Sequence, residues 1–190
     1  MKHYYCLSLL LFLFILTYNH SYSNLYIGAG TNYMLPVGQF QNYNQDGLGF
    51  RLELSDRTYC KLWYGVRLDY ISTTKSSNPV KYYERAISVH SFIKYAPFVS
   101  DCFDNKLVPF VQGTFGFSSI NPSEHFLKNG SNLALGYGLG GGLAYNFKLF
   151  KKCWMFEFDG LYYAPNSIER ASERDNLQSF NVGLTLSLGL

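Results

Sequence analysis

Charge is scarce in this chain: Asp, Glu, Lys and Arg make up 15% of its 190 residues, well under the roughly 25% of ordinary soluble domains. That scarcity argues against an ordinary cytosolic enzyme, and the 47% apolar and 18% aromatic content excludes a disordered chain. An excess of one sign is lacking too. Of 16 basic residues Lys2 falls in a leader, which leaves 15 against 13 acidic residues, too even for nucleic-acid binding through bulk electrostatics. Long hydrophobic runs are also missing. After Asn24 no uncharged stretch reaches the roughly 20 apolar residues of a spanning helix, which excludes a helical inner-membrane protein.

Residues 1–23 read as a secretory leader. Lys2 and His3 form a basic start, Leu7 to Leu16 an apolar run too short to cross a bilayer, and Ser21-Tyr22-Ser23 a small-residue end that fits cleavage before Asn24. Cys6 precedes the apolar run, so it is no lipoprotein acceptor. Residues 24–190 then form one domain.

Past Asn24 the hydrophobic period is two, not 3.6, and eight segments carry it. In the second, Leu48, Phe50, Leu52 and Leu54 alternate with Gly49, Arg51, Glu53 and Ser55. The sixth sets Leu133, Leu135, Tyr137, Leu139, Leu143, Tyr145 and Phe147 against Ala134, Gly136, Gly138, Gly140, Gly142 and Ala144. The last runs Phe180, Val182, Leu184, Leu186, Leu188, Leu190. The remaining segments are read as Leu25 to Tyr33, Lys61 to Tyr70, Ala86 to Tyr95, Leu107 to Phe117 and Trp154 to Tyr163. The six prolines fall in connections or near strand ends, where a missing ladder donor is harmless. Long polar connections near 34–46, 72–84, 118–132 and 164–177 alternate with shorter ones near 56–60, 97–106 and 148–153. The expected fold is all-β: an eight-stranded antiparallel up-and-down transmembrane β-barrel.

Alternation alone does not say which face meets lipid, since a soluble barrel alternates as well. Four glycines in a row on one face gain nothing from water, whereas the narrow interior of eight strands needs small residues opposite large ones. Tyr137 and Phe147 lie ten residues apart on the greasy face, roughly 25 Å at about 3.3 Å per residue and about 40° tilt, the height of an apolar band between aromatic girdles. Leu135, Leu139, Leu143, Leu184, Leu186 and Leu188 are therefore expected to face lipid.

The chain resembles the small outer-membrane barrels of the OmpA/OmpX-like superfamily across essentially all of residues 24–190. The resemblance is carried by the terminal strand Asn181-Val-Gly183-Leu-Thr-Leu186-Ser-Leu188 and by Ala96-Pro97-Phe98-Val99 and Val108-Pro109-Phe110-Val111, which flank a turn. The chain ends in Leu190, where many members end in Phe. The resemblance implies residence in the outer membrane of a Gram-negative bacterium, contact with outer-membrane lipid and lipopolysaccharide, and insertion through the barrel-assembly machinery. It also implies a lumen plugged by ion pairs.

The polar face carries Arg51, Glu53, Arg67, Asp69, Ser88, His90, Lys94, Glu157 and Asp159. A register in which paired positions sum to 120 sets Arg51 opposite Asp69 and Glu53 opposite Arg67, and charges inside a narrow tube must pair. The alternative is that these residues line a narrow porin-like path for small solutes. Ser88, His90 and Asp69 have the chemistry of a hydrolytic triad, but in a filled lumen they read as a hydrogen-bonded plug. Lipid A deacylases place a His-x-Ser on the lipid face, and the only similar stretch here, His125-Phe-Leu127, has Leu at the serine position. Gly136-Tyr-Gly138-Leu-Gly140-Gly141 matches a dinucleotide-binding pattern by letter, yet the strand alternation runs through it. No catalytic, cofactor-binding or metal residue is assigned. The expected role is a non-enzymatic structural or surface contact through four long loops, among them Glu169 to Asp175.

Cys60, Cys102 and Cys153 fall in or beside three different short connections. Neighbouring turns sit about 10 Å apart, beyond the roughly 5.5 Å that a disulfide spans. Either all three thiols are free, or a disulfide includes Cys102, whose connection is long enough to lean across.

Overall fold

The computed structural model describes residues 25–42, 44–59, 61–75, 83–99, 107–122, 132–167 and 177–190. Eight antiparallel strands close into a barrel in chain order: β1 Leu25–Pro36, β2 Asn44–Tyr59, β3 Leu62–Lys75, β4 Tyr83–Tyr95, β5 Leu107–Pro122, β6 Asn132–Leu149, β7 Lys152–Ser167 and β8 Ser179–Gly189. β1 pairs with β8 through eleven positions, Tyr26↔Gly189 to Pro36↔Ser179, so the ladder has no free edge to solvate or to aggregate through. A 3-10 turn, Gly38–Asn42, follows β1 and is held where Val37 N–H donates to the Gln178 carbonyl at 2.9 Å.

The β2–β3 register is the one whose paired positions sum to 120, with Arg51↔Asp69 and Glu53↔Arg67. Strand identities match the sequence reading, but several strands run longer. β2 begins at Asn44 and reaches Tyr59, so residues 56–59 are strand and not connection. β3 continues to Lys75, β5 to Pro122 and β7 to Ser167. The physical reason is that backbone pairing continues beyond the apolar band, where side chains no longer alternate by hydropathy. The 148–153 connection likewise shrinks to Phe150 and Lys151, because Leu149 pairs with Lys152.

The prolines are tolerated for a local reason. Pro109 precedes the first β4–β5 pair, Tyr95↔Val111, and Pro165 lies past the last β7–β8 pair, Tyr163↔Ser179. Each therefore has a strand neighbour on one side only, and a missing donor has no ladder to break there.

The interior is layered, not uniformly polar. Towards the short turns it holds Tyr26, Trp63, Ala96, Val99, Val108, Phe110, Ala144 and Met155 in one apolar cluster. Towards the long loops Met34, Phe40, Ile71, Tyr83 and Leu177 form a second. Along β3 the inward residues show the order directly: Trp63, Gly65, Arg67, Asp69, Ile71, Thr73. The charged layer lies between the two apolar ones.

Candidate functional site: the luminal ion network

Period-two geometry sends alternate side chains of every strand inward, so charges on one face of eight strands converge on the barrel axis. Arg51 donates from Nε to Asp69 Oδ1 at 2.9 Å and from Nη1 to Asp159 Oδ1 at 2.6 Å. Arg67 donates from Nε and Nη2 to Glu53 Oε2 at 3.2 and 3.0 Å, and its Nη1 lies 3.5 Å from Asp159 Oδ2. Lys94 Nζ bridges Glu53 Oε1 at 2.7 Å and Glu157 Oε2 at 2.6 Å. Three cations from β2, β3 and β4 thus link four carboxylates from β2, β3 and β7, and every one of these seven side chains is buried. Burial this complete is affordable only because each charge has its counter-charge at hydrogen-bond distance.

Uncharged groups complete the layer. Gln112 Nε2 donates to Asp159 Oδ2 at 2.7 Å while its Oε1 accepts from Arg67 at 3.3 Å, and Asn32 Nδ2 donates to Asp69 at 3.3 Å. Arg57 stands on the short-turn side, with its guanidinium 3.5 Å from the Trp63 ring centre and Nη1 donating to Asn146 Oδ1 at 2.9 Å. The sequence does not mark Arg57, because residues 56–60 read there as a connection, nor Gln112 and Asn32, which carry no charge. Their parity with Phe110 and Met34 on the inner face was the signal that could have found them.

Ser88, His90 and Asp69 all point inward but do not form a relay. Ser88 Oγ shares a 2.8 Å hydrogen bond with Ser118 Oγ, which is in turn 2.8 Å from the Tyr163 hydroxyl. His90 packs edge-on to Tyr163 at 4.8 Å, with Nε2 3.7 Å from Asp69 Oδ2 and Nδ1 without a hydrogen-bond partner. A cavity of about 40 Å³ adjoins these groups beneath the long-loop apolar cluster, roomy enough for water.

On the outer face Leu139, Leu143, Leu184 and Leu186 are exposed, Leu139 by 71%, while Leu135 and Leu188 are half-covered by neighbours. Tyr33, Tyr70, Tyr137 and Tyr162 stand towards the long-loop end of this surface, and Tyr95, Tyr145, Phe147 and Trp154 towards the short-turn end. Residues 1–24, 123–131 and 168–176, which include the expected leader, His125 and Glu169 to Asp175, lie outside the described residues. So do Cys60 and Cys102, and Cys153 is half-buried as a free thiol.

No protein-family model matches the chain, and no curated protein matches it in sequence. Solved structures do. Neisserial surface protein A is similar with a TM-score of 0.63 at 13% identity, over 88% of this chain and 98% of that one. The N-terminal β-barrel domain of Pseudomonas aeruginosa OprF gives 0.48 at 13% identity, over 89% and 100%. Ail, the attachment invasion locus protein of Yersinia pestis, gives 0.44 at 16% identity, over 88% and 97%. At these identities the likeness is one of fold: the first of them supports the closed eight-stranded barrel.

Proposed function

We propose that this chain is a non-enzymatic outer-membrane barrel of a Gram-negative envelope, closed to solutes, whose role is structural or depends on contacts made by its long loops. One observation carries the reading. A wall apolar on the outside encloses an ion network sealed between two apolar layers, which suits a body set in lipid and does not suit a pore. For ions to pass, Lys94 would have to leave both Glu53 and Glu157, and the Trp63–Phe110 layer below would have to part. A lipid-modifying enzyme is disfavoured because the Ser88 hydroxyl is engaged with Ser118 while His90 faces Asp69 and Tyr163, so no described hydrogen bond joins the serine to the imidazole.

Membrane fractionation followed by gel electrophoresis with and without boiling tests the location. The expected result is recovery with the outer membrane and a band that changes mobility on boiling, because a closed ladder survives detergent until heated. A soluble chain with an unmoved band contradicts it. Planar-bilayer recording of the refolded barrel tests closure: a silent bilayer is expected, and stable conductance steps would establish the narrow channel instead. Mass spectrometry of lipid A from cells with and without the protein separates the enzyme reading, with no change expected.

A further inference from the structure

The β6–β7 hairpin is built from the wrong residues for its shape. It turns in two residues, Phe150 and Lys151, with φ of 50° and 61°, the only non-glycine residues with positive φ among those described. Two positive φ angles in a two-residue hairpin define a turn that Asn-Gly makes without strain and that a bulky aromatic or a lysine resists. Chain reversal alone does not call for this choice. What the choice achieves is display: Phe150 is 85% exposed at the tip, and Lys151 and Lys152 are exposed beside it. From Tyr145 to Phe156 the sequence carries Lys148, Lys151 and Lys152 and no carboxylate.

The turn also continues a surface suited to an interface. Tyr145 and Phe147 stack at 6.0 Å on the outer face just above it, and Trp154 Nε1 donates to the Leu149 carbonyl at 3.3 Å, which fixes the indole at the base of the hairpin. Aromatic rings with polar handles settle at headgroup level, and lysines beyond them reach towards phosphate. Resting on the membrane reading above, we infer that the 148–154 hairpin is an anchor for anionic phospholipid headgroups in the leaflet at the short-turn end. Phe150 enters the interface, and Lys151 and Lys152 pair with lipid phosphodiesters. Charge complementarity names this occupant: Lys151 and Lys152, exposed and with no ion pair among the described residues, adjoin the aromatic end of an apolar wall.

The full chain, refolded into phosphatidylcholine vesicles and into vesicles that also contain phosphatidylglycerol, gives the test through urea unfolding midpoints. The anionic lipid is expected to raise the midpoint, and about 1 M salt to remove most of the gain by screening. Lys151→Gln with Lys152→Gln should reduce the phosphatidylglycerol preference by about fivefold per lysine removed. Phe150→Asn with Lys151→Gly separates anchoring from turn closure. It relieves the backbone, so its midpoint in pure phosphatidylcholine should exceed that of the natural chain, while its gain from phosphatidylglycerol shrinks. Equal gains in all three proteins, or no gain in the natural chain, overturn the anchor and leave the barrel reading standing. Failure to fold into either vesicle removes the membrane reading and the anchor with it.

Discussion

Arg51 faces Asp69 across β2 and β3, and one residue further along Leu52 faces Leu68 on the other side of the same two strands. The first pair is buried and joined at 2.9 Å, while the two leucines are exposed and have no polar group to satisfy. A step of a single residue therefore separates chemistry that must be paired from chemistry that must not be. The inner wall is specified by partners, because each charge is tolerated only through a named counter-charge. The outer wall is specified by class: any apolar side chain of reasonable size meets the need of a hydrocarbon surface. Inner positions should then be sensitive to the loss of one partner, and outer positions to the gain of one charge.

The largest expected effect is inside. Arg67→Ala leaves Glu53 and Asp159 short of a cation in a layer buried between two apolar clusters and should cost about 3–5 kcal/mol in urea unfolding from bilayers. Arg174→Ala, in a loop segment outside the described residues, should barely move the midpoint. Equal midpoints for the two would mean that the network is not what holds the interior.

Next comes the outer wall. Leu139→Arg, on the most exposed stretch of β6, should cost about 2–4 kcal/mol near the bilayer midplane. Near-neutral folding of that variant into bilayers would mean that the faces are reversed.

A matched pair of glycines sharpens the comparison at lower cost. A Cβ on Gly183 would lie 2.1 Å from Arg51 Nη1 and 2.2 Å from Asp159 Oδ1, forcing apart an ion pair pinned from several sides. Gly183→Ala should cost about 1–3 kcal/mol. Gly113 points outward, and a Cβ there finds its nearest neighbour, the end of Leu139, at 3.8 Å, so Gly113→Ala should stay within about 0.5 kcal/mol. Arg85→Ala belongs with these small effects, since its ion pair with Glu84 at 3.8 Å is exposed and should contribute less than about 1 kcal/mol. The same unfolding measurement ranks all three.

The sequence made the walls legible and the layers illegible. Strict alternation over Leu133 to Phe147 gave both faces of β6, and two opposite-charge pairs from one register gave the β2–β3 pairing, because each follows from a period that a linear string displays. The third dimension of the network was not displayed. Asp159 joins Arg51 from a strand 108 positions away, and Lys94 reaches Glu157 over 63 positions, distances set by barrel closure and shear, not by local pattern. The apolar caps were hidden for a related reason. Trp63, Phe110 and Met155 share the inner face with charges, so a reading that sorted faces as greasy or polar had no place for them.

Nitroxide scanning along β6 in lipid bilayers tests the central claim most directly. Spin labels placed singly at residues 134 to 145 report collision with oxygen, which concentrates in hydrocarbon, and with a water-soluble nickel chelate. The account predicts high oxygen collision and low nickel collision at Leu135, Tyr137, Leu139 and Leu143, with both low at the intervening small residues, in a period of two. Nickel collision at the odd positions, or oxygen collision at the even ones, would contradict it.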